Sequence, residues 1–453
     1  MNSIYAVGDQ HFLSSRYVNK CIEIYVVATL FVLVPACLAP LGWIASIGFL
    51  IGCALVLASF RDSNALLFYF IILLLNNSIV ETYIVGTGYT ITSLIYLYSL
   101  ILFIWELRFV GARRKILIAT SFIVLWIIYR MAIAHIYSNG AMSALWGAAP
   151  LSICITSQIL IKRKEKYKAH LLVSLYVAIL LMCITGYVEL IIGRTFFYSL
   201  WKGAFYRFGI LRVGSTVADA NFLCLIEVPA LFIFGANLYK QLIGKRRIQI
   251  LSIALVVQIV LTFSRTGILA LIACYVIYKL TTKKYLFLIA APLVLLSAAI
   301  LPTIMELVLK MDVESTNSRM RIVTVAIQYW LQNPIVGHGP NAFYNNSMAF
   351  VGSQITTMNV YVEQLVCYGA IGLAFYILYA IFLLKRPIIS ILTLEKSNVS
   401  GLIMASLCAW LIISYSLDTF TKIYFWIIPA VEMILLSNEC PQNVFLHKKK
   451  LPV

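Results

Sequence analysis

Apolar residues run along this chain in long blocks, without the two-residue alternation of half-buried strands, and short polar or basic gaps separate the blocks. A helix needs about twenty apolar residues to cross a bilayer. The pattern predicts spans at 21–39, 42–60, 65–84, 90–110, 116–137, 145–161, 169–192, 218–238, 248–263, 267–281, 285–302, 359–383, 399–417 and 421–437. The expected fold is all-α, a polytopic integral membrane bundle of about 14 transmembrane helices in one domain, 1–453. The segment 387–398 is too short to span and is expected to lie at the interface.

The gaps carry sidedness. Arg113-Arg114-Lys115, Lys162 to Lys168, Lys245-Arg246-Arg247, Lys283-Lys284, Lys385-Arg386 and Lys448 to Lys450 fall in alternate gaps. The positive-inside rule makes all of them cytoplasmic, and both termini with them. Three segments are then expected outside: the loop 193–217, the turn Ser264–Gly267 and the long loop 303–358. Within the long loop, Ile322, Val325, Ala326, Tyr329 and Trp330 recur at helical spacing. They predict an external helix lying over the bundle as a lid, ended by the Pro, Gly and Asn of 333–346.

Composition agrees. Hydrophobic residues make up 62% of the chain and charged ones 11%, where a soluble domain carries about a quarter charged. The net charge of +18 fits the positive-inside bias and attraction to anionic lipid. No basic, aromatic-rich soluble module is present for nucleic acid. The ten cysteines are scattered and form no CxxC pair, which argues against structural disulfides and zinc. No cleavable signal pattern precedes the first span.

No Walker motif, DxD pair, HExxH or GxSxG elbow is visible, which argues against an ATPase, a metal-dependent nucleotide-sugar transferase and a conventional hydrolase. What remains is arginine on the outer side: Arg194, Arg207, Arg212, Arg265, Arg319 and Arg321. Topology does not explain them, because the bias favours the other face. Arginine keeps its charge and forks onto phosphate, so such a set suits a diphosphate whose lipid tail stays in the bilayer. Arg130, inside a predicted span, reads as an internal ion-pair or cavity residue, with Glu189 and Glu227 as candidate partners.

Four stretches resemble the O-antigen polymerase and ligase superfamily of bacterial polysaccharide assembly. They are RVGSTVADANFLCLIEVPAL (212–231), TFSRTGILAL (262–271), SRMRIVTVAIQYWLQNPIVGHGPNAF (318–343) and NVYVEQLVCYGAIGLAFYI (359–377). The resemblance covers roughly 205–375 and rests on their order and spacing.

The resemblance implies a GT-C-like helical membrane glycosyltransferase that uses no cofactor, nucleotide sugar or metal. Its donor would be a glycan on undecaprenyl diphosphate, at the periplasmic face of the bacterial inner membrane. By position, Arg265 matches the family's hairpin arginine, Arg319 its external-loop arginine and Arg212 the arginine opening the first motif, and these are the expected catalytic residues. Arg321, Arg207, Asn221, Asn359 and Tyr361 are expected to bind substrate, and Asp219, Glu363 and His338 are candidates for the acceptor's base. The ligases resemble one another in a histidine just before the Asn that opens the late span. Met358 stands there in this chain. That favours a polymerase, which joins lipid-linked repeat units and has a chain-length regulator as a candidate partner, over a ligase to the lipid A core. A transporter or flippase of lipid-linked glycans is the reading from another class. It is disfavoured because no paired repeats are detectable.

Overall fold

The computed structural model describes residues 15–38, 42–76, 91–107, 114–136, 141–193, 206–207, 210–217, 219–281, 313–353, 355–392, 398–415, 427–428, 430–432 and 435. These residues form an all-helical membrane protein, apart from one two-residue ladder. The predicted span 285–302, Arg194 and both chain ends lie outside the described residues.

The first half is built from α1 (Ser15–Leu38), α2 (Gly42–Phe60), α3 (Ala65–Leu75), α4 (Ile91–Leu107), α5 (Arg114–Ile136), α6 (Ala141–Arg163) and α7 (Lys166–Ile192). Helices α3 and α7 are apolar nearly all round, and both are buried. A helix without a polar face belongs in the interior of the bundle. Polar contacts gather at one end of this half. Arg163 Nη1 donates to both carboxylate oxygens of Glu106, at 2.8 and 2.6 Å. Asp62, in the turn between α2 and α3, accepts from Lys166 Nζ, from Tyr167 Oη at 2.8 Å and from the Asn64 amide at 3.1 Å. Burial pushes the Asp62 carboxyl up, but the donors from Lys166 and Tyr167 outweigh it and hold it below the usual carboxylate range.

A ladder of β1 (Tyr206–Arg207) and β2 (Ile210–Leu211) leads to a short 3-10 turn, Ser215–Val217. There follow α8 (Ala220–Phe234), α9 (Asn237–Ile243), α10 (Lys245–Leu261), α11 (Arg265–Leu280), α12 (Val313–Trp330), α13 (Ala342–Val351), α14 (Val360–Leu392) and α15 (Asn398–Ser414). Helix α15 packs against α8, α11 and α14 and is buried over most of its length.

By length and composition, three described helices can cross a membrane: residues Ser15–Val34 of α1, α7 and α14. The pair α8 and α9 is a fourth, bent by 88°. The sequence predicted one straight span over 218–238. The chain turns instead at Gly235-Ala236, where glycine weakens the helix and Ala236 is extended (ψ 142°). A second difference concerns 387–398. Helix α14 runs on through Pro387 to Leu392, because Ile391 and Pro387 still find a buried face, and Ser390 Oγ meets Ser400 Oγ of α15 at 2.7 Å.

Helix α14 is also broken. Gly369 has φ +65° and ψ −163°, so the ladder of backbone bonds is interrupted inside a spanning segment. The chain 334–339 is laid across the gap. His338 and Gly339 amides donate to the carbonyls of Val366 and Cys367 at 2.8 and 2.9 Å, and the Ala370 and Ile371 amides donate to Pro334 and Ile335 at 2.8 and 3.4 Å. Irregular backbone survives at membrane depth only when its polar groups are satisfied within the protein. A Cβ on Gly369 would lie 2.0 Å from the Ile335 carbonyl oxygen, so no other residue fits that contact. Helix α5 braces the same place: Tyr129 Oη donates to Tyr368 O at 2.9 Å, and Trp126 stacks on Phe375 with ring centroids 4.1 Å apart.

Candidate functional site

The site begins at the hairpin between α10 and α11. Thr262 is buried, and its hydroxyl donates to Ile259 O at 2.6 Å and accepts from the Ser264 amide at 3.1 Å. Phe263 takes φ +48°, the left-handed conformation that closes the turn. Ser264 is extended and caps α11: its Oγ accepts from the Gly267 amide at 3.2 Å. Arg265 is therefore the first residue of α11, half-exposed, at the positive end of the helix dipole. Gly267 seats this first turn against α8, since a Cβ there would meet Cys224 Sγ at 2.4 Å.

Two neighbouring segments are tied to the hairpin. Ser264 Oγ donates to Asn221 Oδ1 at 2.8 Å, joining the tip to the first turn of α8. That turn is capped by Asp219, whose Oδ1 accepts from the Asn221 and Phe222 amides at 2.7 and 3.1 Å. Asp219 Oδ2 makes no hydrogen bond among the described residues. Arg212 Nε donates to the Thr262 carbonyl at 2.9 Å, which fixes one edge of the guanidinium on the hairpin itself. The structure thus gathers Arg212, Asp219, Asn221 and Arg265, all half-exposed, around one helix end. Two arginines and a helix N-terminus together suit a phosphate group.

The loop that carries Arg212 is irregular backbone sunk into the bundle. Val213, Ser215, Thr216 and Val217 are buried. Ser215 takes φ +51°, its amide donates to Glu189 Oε2 at 2.8 Å and its hydroxyl donates to Met182 O at 2.6 Å. Thr216 Oγ1 donates to Asn76 Oδ1 at 2.6 Å. Sequence reasoning did not assign Glu189 and Asn76 to the site. Glu189 was a candidate partner for Arg130; its Oε2 accepts from the Ser215 amide, and the Arg130 guanidinium lies 4.8 Å over the Tyr368 ring. Neither oxygen of Glu227, the other candidate, has a hydrogen-bond partner among the described residues.

The remaining predicted residues form a second assembly around the N-terminal end of α14. Helix α12 buries Ile322 and Ala326 in a cluster with Phe343, Val362 and Val366. Arg319 is half-buried, whereas Arg321 is exposed. His338 stacks on Tyr329, with centroids 4.0 Å apart, and its Nε2 lies 2.7 Å from Tyr329 O. Asn359 is buried and caps α14, its Oδ1 accepting from the Tyr361 and Val362 amides at 2.9 and 3.2 Å. Glu363 accepts from Thr357 Oγ1 at 2.8 Å and Cys367 Sγ at 3.0 Å. Tyr361 Oη donates to Leu411 O of α15 at 3.1 Å. Arg207 pairs with Ile210 in the ladder, through the backbone. Of the three candidate bases, His338 and Glu363 are thus engaged on their own assembly, and Asp219 keeps an oxygen turned to no described donor. Among the described residues no three His, Cys, Asp or Glu side chains gather as a metal site.

A helical membrane protein with an arginine hairpin at a helix end is the class that this geometry defines. Residues 250–377 match the family described as O-antigen ligase, and the match supports the O-antigen polymerase and ligase superfamily. The matched segment runs from α10 to the middle of α14, so it contains the hairpin, α12 and the strap across Gly369. No curated protein matches the chain.

Proposed function

We propose that the protein is a membrane glycosyltransferase that polymerises undecaprenyl-diphosphate-linked repeat units into O-antigen or a related surface polysaccharide. The site would face the periplasm of the inner membrane, in a bundle of about fourteen spans. The observation that carries this reading is Arg212 held on the Thr262 carbonyl of the hairpin whose next helix opens with Arg265, together with an oxygen of Asp219 that has no described donor. An acceptor hydroxyl attacks the anomeric carbon, a C–O bond forms, and the bond to the lipid diphosphate breaks. The arginines neutralise the charge that develops on the departing diphosphate, a preorganised electrostatic role. Asp219 takes the hydroxyl proton as general base. Arg319, half-buried on α12, is the third arginine of this reading, and Arg321 its exposed neighbour.

A ligase reading is favoured by one observation, the description of the matched family. Lipopolysaccharide gels of a deletion strain separate the two. A single repeat unit on core is the polymerase result. Loss of O-antigen from core, with long lipid-linked chains accumulating, is the ligase result, and a normal ladder overturns both.

A further inference from the structure

The helix α12 has two apolar faces, and its packing accounts for only one. Ile322 and Ala326 are buried against Val362 and Val366 of α14. Met320, Ile327 and Leu331 are 58%, 37% and 60% exposed. At 100° per residue they fall on one stripe, roughly opposite the buried face. Ile335, just beyond the helix, extends the exposed apolar surface. Exposed Arg321 and Gln328 lie on the flank between the two faces.

Depth decides what meets the stripe. The pair Lys385-Arg386 lies near the C-terminal end of the spanning helix, where such residues reach for headgroups. Counting back from Lys385 to the break at Gly369 uses about 24 Å of helix, most of the hydrocarbon thickness. Leu365, between the two valines on which α12 rests, lies one turn beyond that break, near the end of the thickness. Helix α12 is therefore held at the level where acyl chains give way to headgroups. Trp330, whose Nε1 donates to Pro334 O at 2.9 Å, and the exposed Tyr344 are the side chains that favour this boundary. The exposed Ile371, Ile377 and Leu378 of α14 are themselves apolar surface of a spanning segment.

We propose that α12 is a membrane-interface helix whose Met320–Ile327–Leu331 stripe lies among the acyl chains of bilayer phospholipid beside the N-terminal end of α14. The helix is then anchored on two sides, by protein and by lipid, and is no lid over the bundle. Its arginines stand at the depth of lipid phosphates. The inference does not depend on the reaction proposed above.

The test uses the full chain in nanodiscs of phosphatidylethanolamine and phosphatidylglycerol. An environment-sensitive fluorescent amino acid replaces Ile327, Leu331, Arg321 or Gln328, one at a time, in protein that remains monodisperse. Lipids carrying a nitroxide near the top of the acyl chain serve as quenchers. Quenching at 327 and 331 should be at least threefold that at 321 and 328, with blue-shifted emission. Emission at 327 and 331 like that in water, unquenched, overturns the proposal. Blue-shifted emission that no nitroxide lipid quenches also overturns it, because protein then covers the stripe.

Discussion

Ser264 Oγ donates to Asn221 Oδ1 at 2.8 Å while accepting from the Gly267 amide at 3.2 Å, so one hydroxyl caps α11 and ties it to α8. Arg265 follows directly, and its backbone is fixed by both bonds. The place of its backbone thus depends on two helices tied by residues 43 apart in sequence.

Arg265→Lys keeps the charge but loses the two-pronged grip on phosphate. Under the proposed reaction, both Arg265→Lys and Arg265→Ala should lower polymer formation at least a hundredfold, on the order of 3 kcal/mol of transition-state stabilisation. The assay uses purified protein with lipid-linked repeat units, at matched membrane abundance. Full activity of the alanine variant would reduce Arg265 to a topological signal.

Asp219→Asn separates capping from proton transfer. Asparagine caps a helix about as well as aspartate, so thermal stability in detergent should stay within about 0.5 kcal/mol of the parent. Polymerisation should nevertheless fall strongly, because the amide cannot take a proton. Asp219→Ala should lose activity and also about 1 kcal/mol of stability. An active Asn variant would leave Asp219 as a cap alone.

Gly369→Ala places a methyl group where the Ile335 carbonyl already stands, in a backbone conformation that side chains resist. The expected result is loss of monodisperse protein on size exclusion in detergent. Gly352 is the control: it also has positive φ, but nothing lies within 4 Å of its would-be Cβ. Gly352→Asn should yield normal protein, since asparagine tolerates that conformation.

Asp62 gives a pH signature independent of the reaction. Its carboxyl is held low in the folded protein by Lys166 and Tyr167, against the upward push of burial. A depressed folded-state value means stability that is complete above the ordinary aspartate range. It is lost as pH falls through the lowered value. The melting temperature should therefore decline below about pH 4, and Asp62→Asn should remove that part of the decline while lowering stability at pH 7. Identical acid profiles for parent and variant would refute the assignment.

The hairpin and α12 were legible in the sequence for physical reasons. Ser264 and Gly267 are a capping residue and a small residue beside an arginine, and such a tip interrupts two apolar runs visibly. Helix α12 was announced by its spacing, and helical phase then separates half-buried Arg319 from exposed Arg321. The break at Gly369 was not legible, because Gly-Ala-Ile-Gly inside an apolar run reads as close helix packing. Its repair comes from backbone groups of 334–339, which leave no pattern in side chains. The same holds for the clasp of Glu189 on the Ser215 amide, since a lone carboxylate in a span advertises no partner. The turn at Gly235 was masked by the apolar run that ends in Phe234 and by Ala236 and Leu238 just after it.

The strap over Gly369 imposes an order on biogenesis. Residues 334–339 leave the ribosome before the span they repair, and they are the donors and acceptors for four backbone groups within it. Until strap and span meet, each of those groups costs several kcal/mol if it faces hydrocarbon. The two halves of α14 therefore cannot settle as an independent insertion unit. The segment from α12 to the strap is thus part of what makes this span stable in a bilayer.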